Sequence, residues 1–408
     1  MKLSFIFVFF GVLVTVRTRV NIRFEHSSSE SDEPILYMDT VLDFRGSVRR
    51  NFALEAAFVD HARNMICSPL SVMMPLAKLV LGAQGAAEVE LLNAVGMTNR
   101  NHIKRVFGRL INDMEYLPGV SLDVASRLFI SREQKLNATF HSQAIDIFKS
   151  SCQKVNPENP TKTAQQINDW VARKTNQKIT KLINPSDISR DLSLVLVNAI
   201  YFAGTWKEEF EKARPQDFHS PSGTRRIPMM THEGDYKYRK CDTLNAQLIE
   251  IPYEGDQSAM IVVLPYSNSG LPVLLRALKL APELLNSALG KMRRTHVILS
   301  MPKFKIETQL NLNDLYKKIG LSNIFDRSKS QLKNVVERDT VYVSKSTHKA
   351  VIEVNEKGTN ASAATGVIAV IASSSPYQRL TRFVAERPFL FYITGFNEQF
   401  FTGVFNGA

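Results

Sequence analysis

The stretch SLVLVNAIYF, residues 193–202, is a nearly continuous run of apolar and strand-forming residues. Neighbouring side chains of a strand point to opposite faces of a sheet, so apolar residues at almost every position require that both faces be covered. The run therefore predicts the central strand of a sheet that lies between two other layers of structure.

The segments on the two sides of this strand differ in their periodicity. Before it, apolar residues recur mostly at helical spacing, whereas after Trp206 most apolar runs are short and predict strands. No linker and no internal repeat divides the chain, which predicts one large α+β domain. The predicted helices span 42–63, 69–82 with Ser68 as N-cap, 86–95, 103–114, 162–183, 271–289 and 311–319. The predicted strands span 121–130, 193–202, 247–251, 259–264, 297–302 and 303–308.

The composition excludes several classes of protein. With 44% hydrophobic and 22% charged residues, the chain of 408 residues can bury a large core and is neither disordered nor fibrous. Its formal charge of +12 would suit nucleic acid, heparin-like polysaccharide or an anionic membrane, but a solvated basic surface is the plainer interpretation. We expect no nucleic-acid partner and no membrane partner.

Three cysteines, Cys67, Cys152 and Cys241, are too few and too scattered for a disulfide framework or a zinc cluster. Their odd number leaves at least one thiol unpaired within the chain. Cys152 and Cys241 can pair only if the fold places their Cα atoms within about 7 Å.

Residues 1–20 have the character of a signal peptide. Met1-Lys2 precedes the apolar run 3–16, which is shorter than the roughly 20 residues that a membrane-spanning helix needs. Residues 21–40 are acidic and Ser-rich and predict a flexible leader, so the folded domain covers 41–408. We expect a soluble, secreted protein; a retained N-terminal anchor is the alternative.

The signatures of common enzyme classes are absent from the sequence. There is no Gly-x-Ser-x-Gly, no glycine loop for phosphate or dinucleotide, no His-Glu-x-x-His and no pair of histidines at metal-ligand spacing. We therefore expect no catalysis, no metal and no cofactor.

No charged residue occurs between Lys357 and Arg379. The first half of this segment is made of small residues, and the second half is strand-prone and then Ser-rich. Loops longer than about 12–15 residues are usually functional. The segment is either a plain strand with a linker or a conditional strand, exposed in one state and inserted into a sheet in another.

This segment and its surroundings resemble the hinge of the serpin family of protease inhibitors. The hinge match is VIEVNEKGT at 351–359 with ASAAT at 361–365. Other matches follow in the family's order over about residues 40–406, and the chain most resembles secreted arthropod serpins, those of tick saliva included. These matches are SPLS at 68–71, LGA at 81–83, INDW at 167–170, KI at 178–179, LVNAIYF at 196–202, GTW at 204–206, PMM at 228–230, MPKF at 301–304 and RPFLF at 387–391.

The resemblance implies a fold of three β-sheets and about nine helices, with an exposed reactive-centre loop at about 356–382. A target serine protease attacks this loop as a substrate and forms an acyl-enzyme. The cut loop then inserts into the main sheet as a new strand, which traps the protease in a covalent 1:1 complex. The resemblance thus implies an inhibitor and not an enzyme, and we expect it to act as a monomer.

The predicted hinge has the small, uninterrupted and uncharged sequence that the resemblance associates with inhibition. After insertion, period-two alternation would direct Thr359, Ala361, Ala363 and Thr365 inward, and neither proline nor charge interrupts 358–372. Glu356 and Gly358 complete the implied hinge.

Two glycosylation sequons occur in the sequence. One begins at Asn360 inside the hinge, where a glycan could slow insertion. The other begins at Asn137 and is interpreted as an ordinary surface site.

Four further residues match structural positions of the family. Ser71, Asn198 and His348 match a hydrogen-bonded cluster beneath the opening sheet, and Trp206 matches the position beneath the entry point of the loop. The resemblance assigns them to the control of insertion and not to catalysis.

The reactive bond that the resemblance implies is Ala372–Ser373, because the cut usually follows the hinge glycine by about fourteen residues. Counting from the far end of the loop favours Ser373 or Ser374 instead, and Tyr377 and Arg379 are further alternatives. A small alanine predicts elastase-like targets. Cleavage at Tyr377 would imply chymotrypsin-like or cathepsin-G-like targets, and cleavage at Arg379 trypsin-like ones.

Two other functions remain open from the sequence. One is a serpin-fold carrier or signalling protein that does not inhibit. The other is an inhibitor that depends on a glycosaminoglycan, although solvated faces explain its basic residues more plainly. These are Lys104, Arg105 and Arg109 on one helical segment and Arg45, Arg49 and Arg50 on another.

Overall fold

A computed structural model describes residues 62–358, 380–396 and 398–407. Within them the elements form an α+β arrangement of helices and two hydrogen-bonded sheets. The α-helices are α1 (Pro69–Val80), α2 (Gly85–Val95), α3 (Arg100–Met114), α4 (Ala138–Phe148), α5 (Pro160–Lys174), α6 (Leu271–Leu280), α7 (Glu283–Leu289) and α8 (Leu312–Lys318). The strands are β1 (Met65–Cys67), β2 (Val120–Ser131), β3 (Gln153–Val155), β4 (Leu194–Gly204), β5 (Arg214–Ser220), β6 (Gly223–Cys241), β7 (Ala246–Pro252), β8 (Ser258–Pro265), β9 (Arg293–Pro302), β10 (Phe304–Asn311), β11 (Val343–Val354), β12 (Thr381–Val384), β13 (Phe389–Gly395) and β14 (Glu398–Phe405).

The five-stranded sheet has the order β10-β11-β4-β2-β3, with β4 at its centre. Strand β4 is buried along nearly its whole length, as the apolar run predicts. Its alternate side chains contribute to two separate apolar clusters, one on each face of the sheet. Helix α5 covers one face through Ile167 and Trp170, and α1 packs on the other. The prediction of a central strand between two layers is confirmed.

The nine-stranded sheet follows the order β1-β14-β13-β8-β7-β6-β9-β12, and β5 also pairs with β6. The resemblance implied three sheets in all, whereas the described residues form two. The reason is the 19-residue strand β6, which pairs with β5 through residues 223–229 and with β7 through residues 237–241. One continuous strand thereby joins what would otherwise be two sheets.

Two predicted helices are shorter than the apolar pattern suggested. The helix predicted over 162–183 ends at Lys174, because Asn176 and Gln177 take left-handed φ values of 47° and 62°. The side chain of Asn168 then holds the returning chain: its Oδ1 accepts from the N–H of Leu182 at 2.9 Å, and its Nδ2 donates to the carbonyl of Ile183 at 2.8 Å. The helix predicted over 271–289 is divided into α6 and α7.

Other sequence expectations have mixed outcomes. The N-cap of α1 is Ser68, whose Oγ accepts from the N–H of Ser71 at 3.2 Å. The three cysteines are buried free thiols, so Cys152 and Cys241 form no disulfide. No helix among the described residues is long and apolar enough to cross a membrane. The signal peptide, the leader and nearly all of the predicted helix 42–63 lie outside the described residues.

Candidate functional site

A tight turn follows β11 and brings the chain back towards β4. The N–H of Asn355 donates to the carbonyl of Gly358, and the N–H of Gly358 donates to the carbonyl of Asn355, both at 3.0 Å. Gly358 also forms an antiparallel bridge with Thr205, which directly follows β4. The hinge glycine therefore lies between the ends of the two central strands and is paired with both.

Only glycine fits at this position. Gly358 has φ of 108°, a conformation that side chains disfavour. A Cβ atom there would collide with the carbonyl oxygen of Gly204 and would lie 2.7 Å from Cα of Thr205. The close approach of the turn to β4 thus depends on the missing side chain.

Trp206 fixes the base of this turn. Its backbone N–H donates to the carbonyl of Lys357 at 3.2 Å, and its indole Nε1 donates to the carbonyl of Asn355 at 2.8 Å. The indole ring stacks on Tyr253 with centroids 4.5 Å apart and planes 7° from parallel. The residue that the resemblance placed beneath the loop's entry point contacts the hinge through both its backbone and its side chain.

Glu356 is held from three directions. Its backbone carbonyl accepts from the N–H of Phe210 at 2.8 Å, Oε1 accepts from the N–H of Ala213 at 3.0 Å, and Oε2 lies 2.9 Å from Nζ of Lys303. Burial alone would raise the pKa of Glu356, but the hydrogen bonds from Lys303 and Ala213 outweigh it and lower the pKa. Sequence reasoning missed the partnership with Lys303, because the two residues are far apart in the chain and belong to different segments.

Halfway down the same two strands, a polar cluster lies in the apolar core. Asn198 of β4 and His348 of β11 are directly opposite each other, with His348 Nδ1 2.7 Å from Asn198 Oδ1. The hydroxyl of Ser71 donates to the same Oδ1 at 2.7 Å, and Asn198 Nδ2 donates to the carbonyl of Ser71 at 2.5 Å. The structure brings together the three residues that the resemblance grouped.

A fourth residue, predicted from the sequence only as the N-cap of α1, fixes which nitrogen of the imidazole carries the proton. The backbone N–H of Ser68 donates to Nε2 of His348 at 3.2 Å, so the proton of the imidazole is on Nδ1 and is donated to Asn198. Burial lowers the pKa of His348 to about 3, so the ring is neutral at neutral pH. The two central strands are therefore joined at their midpoint by a neutral hydrogen bond.

The remaining predicted hinge and reactive-bond residues lie in segment 359–379, outside the described residues. These are Thr359, Asn360, Ala361, Ala363, Thr365, Ala372, Ser373, Tyr377 and Arg379. The chain is described again from Leu380, immediately before β12. Segment 359–379 thus connects the end of the five-stranded sheet to a strand of the other sheet.

The other predicted sites fall on the described surface or outside it. Asn137 is the N-cap of α4, and its Oδ1 accepts from the N–H of Phe140 at 3.1 Å, so this half-buried residue also has a structural task. Lys104, Arg105 and Arg109 are exposed on α3. Arg45, Arg49 and Arg50 lie outside the described residues.

Comparison with known proteins agrees with this geometry. A family model described as "Serpin (serine protease inhibitor)" matches residues 50–406. Antichymotrypsin-2 of Bombyx mori is 39% identical over 84% of this chain and 92% of its own length, and antitrypsin of the same moth is 38% identical over 84% and 88%. A crystal structure of native protease nexin-1 with heparin superposes with a TM-score of 0.80 at 25% identity, over 90% of this chain and 99% of that one. The chain therefore belongs to the serpin family of serine protease inhibitors.

Proposed function

We propose that this chain is an inhibitory serpin that traps its protease by inserting the cleaved segment 359–379 between β4 and β11. The observation that carries the proposal is the double pairing of Gly358, which is bridged to Asn355 and to Thr205. We interpret these two bridges as the first rung of the strand that insertion would add. Its neighbours would be antiparallel on both sides, because the turn reverses the chain.

The register set by Gly358 can be extended along β4 and β11 towards their N-terminal ends. One residue per rung places Thr359 opposite Gly204 and Thr365 opposite both Asn198 and His348, which now pair with each other. The inserted strand would run along the whole of the 11-residue β4 as residues 359–369. Thr365, whose hydroxyl can donate and accept, would then replace the direct contact between the two strands.

Small side chains along the segment make this insertion feasible. Opposite residues share a face, so Ala361 and Ala363 would point inward with Phe202 and Ile200 of β4. An added strand forms roughly ten further backbone hydrogen bonds, each worth about 0.5–1.5 kcal/mol net. This gain supports an insertion that drives the trapping step.

We propose Ala372–Ser373 as the reactive bond and elastase-like proteases as the targets. The support is the small alanine at the position that follows the hinge glycine by fourteen residues. The names of the two moth relatives, one an antichymotrypsin and one an antitrypsin at nearly equal identity, favour neither alternative. Tyr377 and Arg379 remain the residues that would direct the inhibitor to those two classes.

The test is incubation with pancreatic elastase, chymotrypsin and trypsin in parallel. We expect an SDS-stable complex with elastase and release of the peptide 373–408, which begins SSSP. A complex with trypsin alone, releasing a peptide that begins at Leu380, would contradict the reactive bond but not the mechanism. Cleavage by all three proteases without any complex would contradict the inhibitory mechanism and favour a carrier function.

Binding of a glycosaminoglycan is a second candidate function. It is supported by the exposed Lys104, Arg105 and Arg109 on α3 and by the heparin in the protease nexin-1 structure. Retention on heparin beyond ordinary ionic strength, reduced by exchanging these three residues for glutamine, is the expected result. Elution at ordinary ionic strength would remove this candidate.

We also propose that the protein is secreted and glycosylated. The apolar run 3–16 and the two sequons support this. Expression in insect cells should place the protein in the medium with an N-terminus near residue 20 and a mass that falls on glycosidase treatment. Retention in the cell with residues 1–20 intact would contradict it.

A further inference from the structure

A cavity of about 200 Å³ lies at the edge of the five-stranded sheet, bordered by β2, α3, α4 and α5. We call it the side cavity. It lies along the part of β2 that precedes Phe129, where β3 has not yet begun to pair with that strand. The side cavity shares no lining residue with the hinge or with the cluster of Ser71, Asn198 and His348.

One wall of the side cavity is apolar. Ile111 and Met114 of α3, Val124 of β2 and Phe148 at the end of α4 line it. Such a wall favours an aliphatic or aromatic body over a purely polar solute.

The other wall carries polar atoms that have no hydrogen-bond partner among the described residues, although Arg127 Nη1 donates to Gln153 Oε1 at 2.6 Å. Ser126 Oγ, Arg127 Nε and Trp170 Nε1 are buried and make no hydrogen bond among the described residues. Trp170 is only 5% exposed, and the Arg127 guanidinium lies over its ring at 4.4 Å. Arg127 and Trp170 offer donors only, so these groups call for a ligand that brings acceptors.

The charge around the side cavity is positive. Arg127, Lys149 and Lys174 line it against a single carboxylate, that of Glu115. Behind Phe148 lies the buried Lys78, whose Nζ is 5.5 Å from the centre of the Phe148 ring and has no carboxylate partner among the described residues. An anionic acceptor therefore suits this wall better than a neutral one.

We propose that the side cavity binds a small amphipathic anion, with its carboxylate or sulfonate at Arg127 and Trp170 and its apolar body against Phe148 and Val124. The oxygens of the headgroup would accept from Arg127 Nε and Trp170 Nε1, and Ser126 Oγ would donate to them. The volume fits a chain of roughly ten carbons or one fused-ring acid. The proposal stands on these residues and does not rest on the inhibitory mechanism.

The test follows the fluorescence of Trp170, which lines the side cavity. The sequence has two tryptophans, so Trp206→Phe leaves Trp170 as the single emitter. This variant is titrated with decanoate below its micellar concentration, and with decanol and decyltrimethylammonium as neutral and cationic counterparts. We expect a saturable change in emission with one decanoate per chain and at least tenfold weaker binding of the other two. Calorimetry on the unsubstituted protein should give the same stoichiometry.

Variants locate the binding. Arg127→Gln should weaken decanoate at least tenfold, and the exposed Lys174→Gln severalfold without affecting folding. Arg276→Gln, which removes an exposed arginine from α6, should change nothing. An absent saturable signal would mean that water fills the side cavity, and it would overturn the proposal. Equal affinity for decanoate and decanol, or affinity unchanged in both Arg127→Gln and Lys174→Gln, would overturn it as well.

Discussion

His348 Nδ1 lies 2.7 Å from Asn198 Oδ1, across the boundary between the parallel strands β4 and β11, which pair from Leu194 and Val343 to Phe202 and Ile352. This neutral hydrogen bond lies in the apolar core, where water cannot compete with it. Any strand that enters between β4 and β11 must break it, so the bond resists opening at the midpoint of the sheet.

Acid should weaken the closed sheet through His348. The pKa of this ring is about 3 in the folded protein, against about 6.5 in the unfolded chain, so between these values the unfolded chain binds more protons. The contribution of the neutral His348 ring to the free energy of unfolding is therefore present above about pH 6.5 and is lost as the pH drops towards 3. From pH 7 to pH 5 the loss is about 2 kcal/mol. Urea unfolding at both pH values should show this loss, and His348→Gln should remove it. An unchanged pH dependence in that variant would contradict the role of His348.

Replacing Gly358 by alanine should disable the hinge. The new Cβ would collide with the carbonyl of Gly204, in addition to the strain of positive φ. The control is Gly223→Ala, because Gly223 has φ of 121° but open space around it. We expect the control to cost about 1–2 kcal/mol of unfolding free energy and Gly358→Ala clearly more, with slower formation of the protease complex. Equal losses in the two variants would mean that the close approach to β4 is unimportant.

The Glu356–Lys303 pair should restrain the hinge mainly because the two side chains carry opposite charges. Glu356→Gln keeps the acceptor for the Ala213 N–H and removes only a partly exposed ion pair, so it should cost at most about 1 kcal/mol. Glu356→Lys brings two ammonium groups together and should lower the unfolding temperature and speed the spontaneous loss of inhibition. Adding Lys303→Glu to this variant makes the two charges opposite again. It should restore most of the unfolding temperature and most of the lifetime of the inhibitory activity. Failure of that second exchange to rescue would show that the pair is incidental.

The proposed register makes Thr365 a decisive position. An arginine there would have to enter the core beside Asn198 and His348, so Thr365→Arg should turn the inhibitor into a substrate that is cleaved without complex formation. The gain in thermal stability that the proposed insertion predicts on cleavage should also be lost. Gln378→Arg adds the same charge beyond the inserted span and should keep inhibition. Normal trapping by Thr365→Arg would refute the register.

Glycosylation inside the hinge should slow trapping. The same register places Asn360 opposite Ala203, on the face that α5 covers further down the sheet. Ser362→Ala removes this sequon and should lower the number of inhibitor molecules consumed per trapped protease. The matched control is Thr139→Ala, which removes the other sequon but keeps the N-cap made by Asn137. Equal stoichiometry in glycosylated protein and in Ser362→Ala would show that the glycan is harmless.

The centre of the fold is predictable from the sequence because burial on both faces leaves a direct mark on 193–202. The sequence did not predict β6 as one long strand. Its exposed charged residues, such as Arg225 and Lys237, obscure the alternation of apolar and polar residues. The end of α5 was not predicted either, because the usual signals of a helix end, proline and glycine, are absent there. Two residues in the left-handed conformation and the side chain of Asn168 end the helix instead.

The candidate site shows the same division between local and distant information. The requirement for glycine at 358 is visible in the motif, and so are the residues of the polar cluster. The contacts of Glu356 with Lys303 and of His348 with the N–H of Ser68 join residues distant in the chain, which no local pattern encodes.

Strand β12 has only four residues, Thr381–Val384, which pair in parallel with β9. During folding, a hairpin between β11 and the segment after Gly358 is a local event, whereas pairing of β11 with β4 joins residues about 150 positions apart. Chain closure alone would therefore favour the hairpin. We expect docking of β12 on β9 to oppose the hairpin, because it anchors the far end of the segment on the other sheet. On the proposed mechanism, a chain in which these four pairs form late would insert its own segment before meeting a protease and could no longer inhibit.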